Sequence, residues 1–239
     1  MIVPRIIHKV IIVDDGETPK LSGGMQNSVD TWRNMNPGSS WSVKLYNLND
    51  CRKYITDHGD SEDLRYFDKL KPYSYKSDFF RFFVLLTEGG WYSDMRQVCM
   101  LSLDELNKTG HEFYTSQDCP PNQMCMYTAF IGSVPGHPIL KKTLNILKWN
   151  IDNDHYGLDC LYPTGPGAFM SGSIDYIRKN PNLCMIGRHI VGSENIEYII
   201  MNKHVVLRCK YNNAPGADFS DVKGGNDYGK MWRDWDIYN

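Results

Sequence analysis

Two acid–base pairs stand out by their spacing. Asp78 and Arg81 lie three residues apart in the run "YSYKSDFFRFFVLLTEGG", and Asp94 and Arg96 lie two apart in "WYSDMR" just beyond it. On a helical projection Ser77, Asp78, Arg81 and Glu88 fall within about a 100° arc, while Phe79, Phe80, Phe82, Phe83, Val84, Leu85 and Leu86 cover the rest. A helix apolar nearly all round is buried, so this polar stripe must face something polar inside the protein. Either Asp78 and Arg81 pair internally and stitch the core, or they line a cleft where a desolvated guanidinium and carboxylate read hydroxyls or phosphate. Asp94 is an oxygen ligand suited to a divalent cation that bridges a diphosphate. Arg96 is placed to touch the same phosphate. The plain alternative for this second pair is a surface turn with a charge on each side.

The elements that must position these groups follow from pattern. "RIIHKVIIV" is short, β-branched and almost continuously apolar, which predicts a buried strand. Residues 25–35 predict a helix stopped by "NPGSS", and "WSVKLYN" alternates as a second strand. Helices are expected near 48–57, 61–70 and, most strongly, 74–88. Gly89 and Gly90 end the last of these, and Trp91 and Tyr92 suit a short strand. Asp94 then lies just past a strand end, the usual place for ligand groups in an open α/β sheet. "HEFYTSQ" and "CMYTAFIGSV" read as strands and "HPILKKTLNILKW" as a helix. "TGPGAFMSGSIDYIRKN" reads as a glycine-rich turn feeding another helix, and "EYIIMNKHVVLRC" as late strands. Strand, helix, strand, helix in this order predicts an α/β domain with a parallel sheet.

Composition narrows the partners. Lys plus Arg number 26 against 28 Asp plus Glu, a net charge of −2, which gives no general attraction to nucleic acid or acidic membranes. Aromatics make up 13% of the chain, suiting a bulky core or a carbohydrate face. The seven cysteines lack Cys-x-x-Cys pairs and zinc-type His interleaving, so reduced structural thiols are expected. No run has the length of a membrane span or the form of a signal peptide, and the sequon at Asn107 reads as chance. His8 is expected to be a hydrogen-bonded core residue and His137 part of a turn.

Four segments, in order and spacing, resemble the Asp-x-Asp sugar-binding-motif glycosyltransferases (glycosyltransferase family 32), with more distant similarity to the clostridial glucosylating toxins. They are "IVPRIIHKV", "SDFFRFFVLLTEGGWYSDMR", "GSVPGHPIL" and "TGPGAF"; "GGNDYGKMW" matches the closing segment more loosely. The resemblance implies an α/β GT-A-type nucleotide-sugar-binding fold with a mostly parallel central sheet flanked by helices. It implies a single glycosyltransferase domain over residues 1–239, with 210–239 closing over the donor site. It also implies a retaining transfer from a UDP- or GDP-sugar to a glycan or other hydroxyl acceptor, assisted by Mn²⁺ or Mg²⁺. By position Asp94, Arg81 and Asp78 would be catalytic. Ser77, Asp78, Arg81, Tyr92, Arg96, Thr164, Gly165, Asn226, Tyr228 and Trp232 would bind the donor, with Thr164 and Gly165 shaping the acceptor side. Asp94 and Asp227 would hold the metal. No nucleic acid or integral membrane partner is expected, and a bacterial cytosol, or the host cytosol for a viral enzyme, is the expected location.

Two departures from the family pattern bear on mechanism. Arg96 stands where the second acid of the motif is expected, so a cation faces the metal; metal-independent transfer, with Arg96 neutralising the leaving group, is the alternative this opens. Ile11 occupies the place of a base-covering Trp. These departures also motivate two other readings, a catalytically inactive sugar-nucleotide or glycan-binding module and a sugar-nucleotide hydrolase. For retention, front-face attack is expected, because Asp78 is committed to hydroxyls and no other nucleophile stands out.

Overall fold

The computed structural model describes residues 2–14, 16–21, 23–119, 125–193, 196–209 and 226–239. Its first half is built on three parallel strands. β1 (Ile6–Val10) pairs with β2 (Ser42–Tyr46) on one side and β3 (Gly90–Ser93) on the other. α1 (Gly23–Met35) makes the crossover between β1 and β2. α2 (Leu48–His58) and α3 (Ser61–Lys69) each start with a reciprocal capping box, Asn47 with Asp50 and Asp60 with Asp63, which satisfies backbone donors that the first turn leaves open. α4 (Tyr73–Glu88) runs back to β3.

The junction of α4 and β3 explains the double glycine. Gly89 ends the helix at φ +69, its N–H bonded to the Leu85 carbonyl, and Gly90 opens β3 at φ +98. A Cβ on Gly90 would lie 2.7 Å from the Ile6 carbonyl oxygen, so both the dihedral and the close approach of β1 require glycine. His8 is fully buried beside it and fits the core role expected. It donates from Nε2 to the Gly89 carbonyl at 2.9 Å and accepts from the Tyr46 hydroxyl at 3.2 Å on Nδ1. Burial pushes its pKa down to about 4.

Beyond β3 the sheet changes character. β4 (Val98–Cys99) and α5 (Leu103–Asn107) are followed by β5 (Phe113–Ser116) and β6 (Phe130–Ser133). α6 (Pro138–Asp152) and α7 (Pro166–Lys179) then lead to β7 (Cys184–Val191), β8 (Glu197–Met201), β9 (His204–Arg208) and the short α8 (Tyr228–Arg233). Strand order is β2-β1-β3-β6-β5-β7-β8-β9-β4. The α/β class stands, but the sheet is mixed rather than mostly parallel. Three neighbouring pairs are parallel and five antiparallel. The second half includes hairpin-like returns that short connections allow only between antiparallel strands. β7 is not among the strands the sequence predicts, because "GRH" interrupts its apolar run and its last two residues, Ile190 and Val191, are both exposed.

The two faces of the sheet are both covered. One core packs Val10, Tyr46, Tyr92 and Ile131 against α4, α6 and α7; the other packs Ile7, Trp91, Tyr114 and Phe130 against Trp32 of α1. Alternate residues of β1, β3 and β6 supply the two, as the period of two demands. Ile11 lies in a small buried cluster with Val13, Met25, Val29 and Met95. His137 is the N-cap of α6, its side chain accepting from the Ile139 N–H, the turn role expected. Among the described residues no helix is long and apolar enough to cross a membrane.

The Trp91 indole packs against Gly132 of the neighbouring strand, where an added Cβ would meet it at 2.4 Å. Gly132→Ala is therefore expected to destabilise the protein by about 1–3 kcal/mol, read as a lower denaturant midpoint at unchanged slope.

Candidate active site

The centre of the site is Arg81. α4 carries it inward on the polar stripe the sequence predicts, and the residue is 5% exposed. Its guanidinium is held on every side. Nη1 donates to the Thr128 carbonyl at 2.8 Å and Nε to the Ser77 carbonyl at 3.3 Å. Nη2 faces Asp78 Oδ1 at 3.2 Å and Asp94 Oδ1 at 3.4 Å, and Cζ lies 4.5 Å from the centre of the Tyr92 ring. Burial opposes the positive charge, but Tyr92, Asp78 and Asp94 outweigh it and hold the group above its ordinary pKa. Arg81 and Asp78 are an internal ion pair, and that pair also lines a cavity.

Each carboxylate has its own support. Thr164, fully buried, donates its hydroxyl to Asp78 Oδ2 at 2.8 Å. Gly165 comes next, and a Cβ there would sit 3.3 Å from the same oxygen. The Tyr92 hydroxyl donates to Asp94 Oδ1 at 2.9 Å, and burial keeps that phenol far above its usual range. Asp94 follows β3 directly, its N–H bonded to the Ala129 carbonyl and its carbonyl accepting from the Gln97 N–H. Beneath it lies Lys9, a fully buried residue that sequence reasoning passed over as part of an apolar strand. Its ammonium donates to Ser93 Oγ at 3.2 Å and to the Asp94 carbonyl at 3.1 Å, and sits 4.5 Å over the Trp32 ring. Burial drops its pKa to about 7, against the pull of Asp94 and Cys99.

Asp78, Arg81 and Asp94 open into a cavity of about 250 Å³. Gly165, Pro166 and Tyr228 line it, as do Ser74, Tyr75, Tyr127, Cys160 and Leu161. Asp118, His189 and Glu197 form another part of the wall. A smaller adjoining hollow of about 210 Å³ is lined by Ser74, Ser77, Tyr92 and Arg96 together with Arg81 and Asp94. The larger open groove of about 1020 Å³ near Arg5 and Asp104 lies away from these groups.

The expected residues thus divide. Asp78, Arg81, Asp94, Gly165 and Tyr228 reach the cavity, and Ser77, Tyr92 and Arg96 reach the adjoining hollow. Thr164 is a buried prop for Asp78 rather than a cleft surface. Asn226 ties down the start of α4, accepting from the Tyr73 N–H at 2.8 Å and donating to the Lys71 carbonyl at 3.1 Å. Asp227 caps α8 by accepting from the Lys230 N–H. Trp232 donates to the Tyr156 carbonyl at 2.7 Å and packs on the core. Of the segment 210–239 expected to close over the site, residues 210–225 lie outside the described residues.

Residues 23–113 match the family described as a glycosyltransferase sugar-binding region containing a DXD motif. An uncharacterized glycosyltransferase of Acanthamoeba polyphaga mimivirus is 25% identical over 179 residues, covering 75% of this chain and 68% of that protein. The solved PaToxG glycosyltransferase superposes with a TM-score of 0.54 at 18% identity, covering 74% of this chain and 70% of that one; this likeness is one of fold.

Lys9 gives a stability test. The folded protein loses the Lys9 proton near pH 7, whereas the unfolded chain keeps it to about pH 10.4, so the unfolded state binds more protons between those values and stability from this group rises with pH. Relative to Lys9→Met, the wild type should gain stability between pH 7 and 10 in denaturant titrations, and a difference that stays flat with pH would contradict the burial cost assigned to Lys9.

Proposed function

We propose that this chain, a glycosyltransferase with a DXD-type sugar-binding region, moves a sugar from a UDP- or GDP-sugar to a hydroxyl of a glycan or other acceptor with retention at the anomeric carbon. The observation that supports this reading is the convergence of Asp78, Arg81 and Asp94 at one cavity, each already fixed by a separate buried partner. Such a constellation costs little reorganisation when a donor binds.

In this reading Asp78 and Arg81 bind sugar hydroxyls, Asp78 as acceptor and Arg81 as donor. Thr164 and the Thr128 carbonyl keep them in place. Arg96 supplies the cation for the departing phosphate. Arg81 is poorly suited to that second task, because two carboxylates already balance its charge. Both acids are engaged by Arg81 and by a hydroxyl each, which leaves neither placed as a covalent nucleophile. Front-face attack follows, in which the acceptor hydroxyl passes its proton to the leaving phosphate oxygen.

A divalent cation fits the residues through Asp94, which offers oxygen ligation at the cavity wall, whereas Asp227 is engaged in capping α8. Mn²⁺ or Mg²⁺ bound there would neutralise the diphosphate. Arg96, in place of a second acid, makes this the weaker of two sources of positive charge.

The deciding experiment measures UDP and GDP binding by calorimetry, with and without Mn²⁺, and nucleoside diphosphate release from the sugar nucleotides. Acceptor-dependent release is expected, and Asp94→Asn should lower it about 10²–10³-fold. Binding without release would support the inactive module, and equal release without acceptor the hydrolase. Failure of both nucleotides to bind under all conditions would overturn the reading.

A further inference from the structure

The donor chemistry leaves one group of cavity residues without a task. β7 and β8 run antiparallel with Val191 opposite Glu197 and His189 opposite Ile199, which brings the imidazole of His189 against the Glu197 carboxylate. Nε2 and Glu197 Oε2 are 3.0 Å apart. On the other side of the ring, Nδ1 is 3.4 Å from Asp118 Oδ1. Cys209 follows β9, and its N–H donates to the Glu197 carbonyl at 2.7 Å. That bond folds the thiol onto the same spot, so that the ligand atoms of His189, Glu197 and Cys209 all lie within 4.8 Å of one another. His189 is 1% exposed in its side chain, and Cys209 is 1% exposed.

We propose that His189 Nε2, Glu197 and Cys209 form a three-ligand site for a zinc-class divalent transition metal, with the fourth position open to the cavity. Imidazole nitrogen, carboxylate oxygen and thiolate sulfur together select a borderline ion over Mg²⁺ or Mn²⁺. Bonds of about 2.0–2.3 Å to a tetrahedral ion place ligand atoms roughly 3.3–3.8 Å apart, which small side-chain movements reach from the arrangement seen. Asp118 Oδ1, 3.4 Å from Nδ1, stands where the outer carboxylate of a carboxylate–histidine–metal unit belongs, and a small approach would let it accept from Nδ1–H and leave the Nε2 lone pair to the ion. Tyr127 adds support. Its hydroxyl accepts from Gln97 at 2.6 Å, and its ring packs edge-on against the His189 imidazole with centroids 4.7 Å apart, holding that ring in place. His189 and Glu197 line the cavity that holds Asp78 and Asp94, so an exchangeable water or substrate oxygen would complete the coordination there. A histidine strapped between two acids would account for Asp118 and Glu197, but it gives no role to the thiol.

One set of residues competes for the ring. Asp118, Cys119 and His189 also cluster within 4.8 Å, on the Nδ1 side, and the two sets predict different cysteines. The protein, treated with chelator and titrated with Co²⁺, should bind one equivalent and show a thiolate-to-cobalt charge-transfer band that Zn²⁺ abolishes. Cys209→Ser should lose the band, and Cys119→Ser should keep it. Glu197→Gln, at a partly exposed position that guards against a folding failure, should keep the band while affinity falls at least about 10-fold; Asp118→Asn should weaken binding about 10–100-fold. No charge-transfer band in the wild type, or a band lost in Cys119→Ser and kept in Cys209→Ser, would overturn the site. None of these readouts depends on glycosyl transfer, so the metal site and the donor reading stand or fall separately.

Discussion

The structure depends on burying one guanidinium. An unpaired charge in an apolar interior costs several kcal/mol, and Arg81 is 5% exposed on a helix whose other faces are packed with Phe79, Phe80, Phe82, Phe83 and Leu85. The fold therefore has to bring compensation to it. Asp78 comes from the same helix, Asp94 from the end of β3, and the Thr128 carbonyl from the stretch leading into β6. Three separate parts of the chain meet at that cation. The cavity is what remains beside them.

Other features follow from holding those partners still. Asp94 can reach Arg81 only if β3 starts tightly after α4, which Gly89 and Gly90 allow, and only if the turn after β3 is anchored, which Lys9 does from below. Asp78 is locked by Thr164 at the approach to α7. The end of the chain secures the opposite end of α4. Asn226 binds Tyr73 and Lys71, Lys71 also pairs with Asp236, and its N–H donates to the Ile237 carbonyl. The C-terminal segment is thus tied to the helix that carries the polar stripe, and Tyr228 reaches the cavity from that tether.

How much of this could be read from sequence depended on whether a residue's role is local. The 74–88 helix, its polar stripe and the double glycine were legible because period and turn chemistry act over a few residues. Asp94 was legible because its place after a strand follows from the same pattern. Lys9 was not, since a lysine in an apolar strand looks like a solvent-facing edge until Trp32, Ser93 and Asp94 are brought around it. The pairing of His189 with Glu197 depends on the register of two strands, and the position of Cys209 on a third. No local period encodes either. The expectation of a mostly parallel sheet failed for the same reason: alternating strands and helices describe the first half, while the antiparallel β7, β8 and β9 are set by short connections and contacts across the sheet. Thr164 and Asn226, assigned to the cleft by resemblance, lie one layer behind it.

The role proposed for the Arg81 cluster is that of the donor-sugar subsite. A crystal structure of the chain with an unreactive UDP- or GDP-sugar analogue tests it most directly. Sugar hydroxyls within hydrogen-bond distance of both Asp78 and Arg81, with the diphosphate beside Arg96, are predicted. A donor bound elsewhere, with the Asp78–Arg81–Asp94 cluster facing only water, would contradict it.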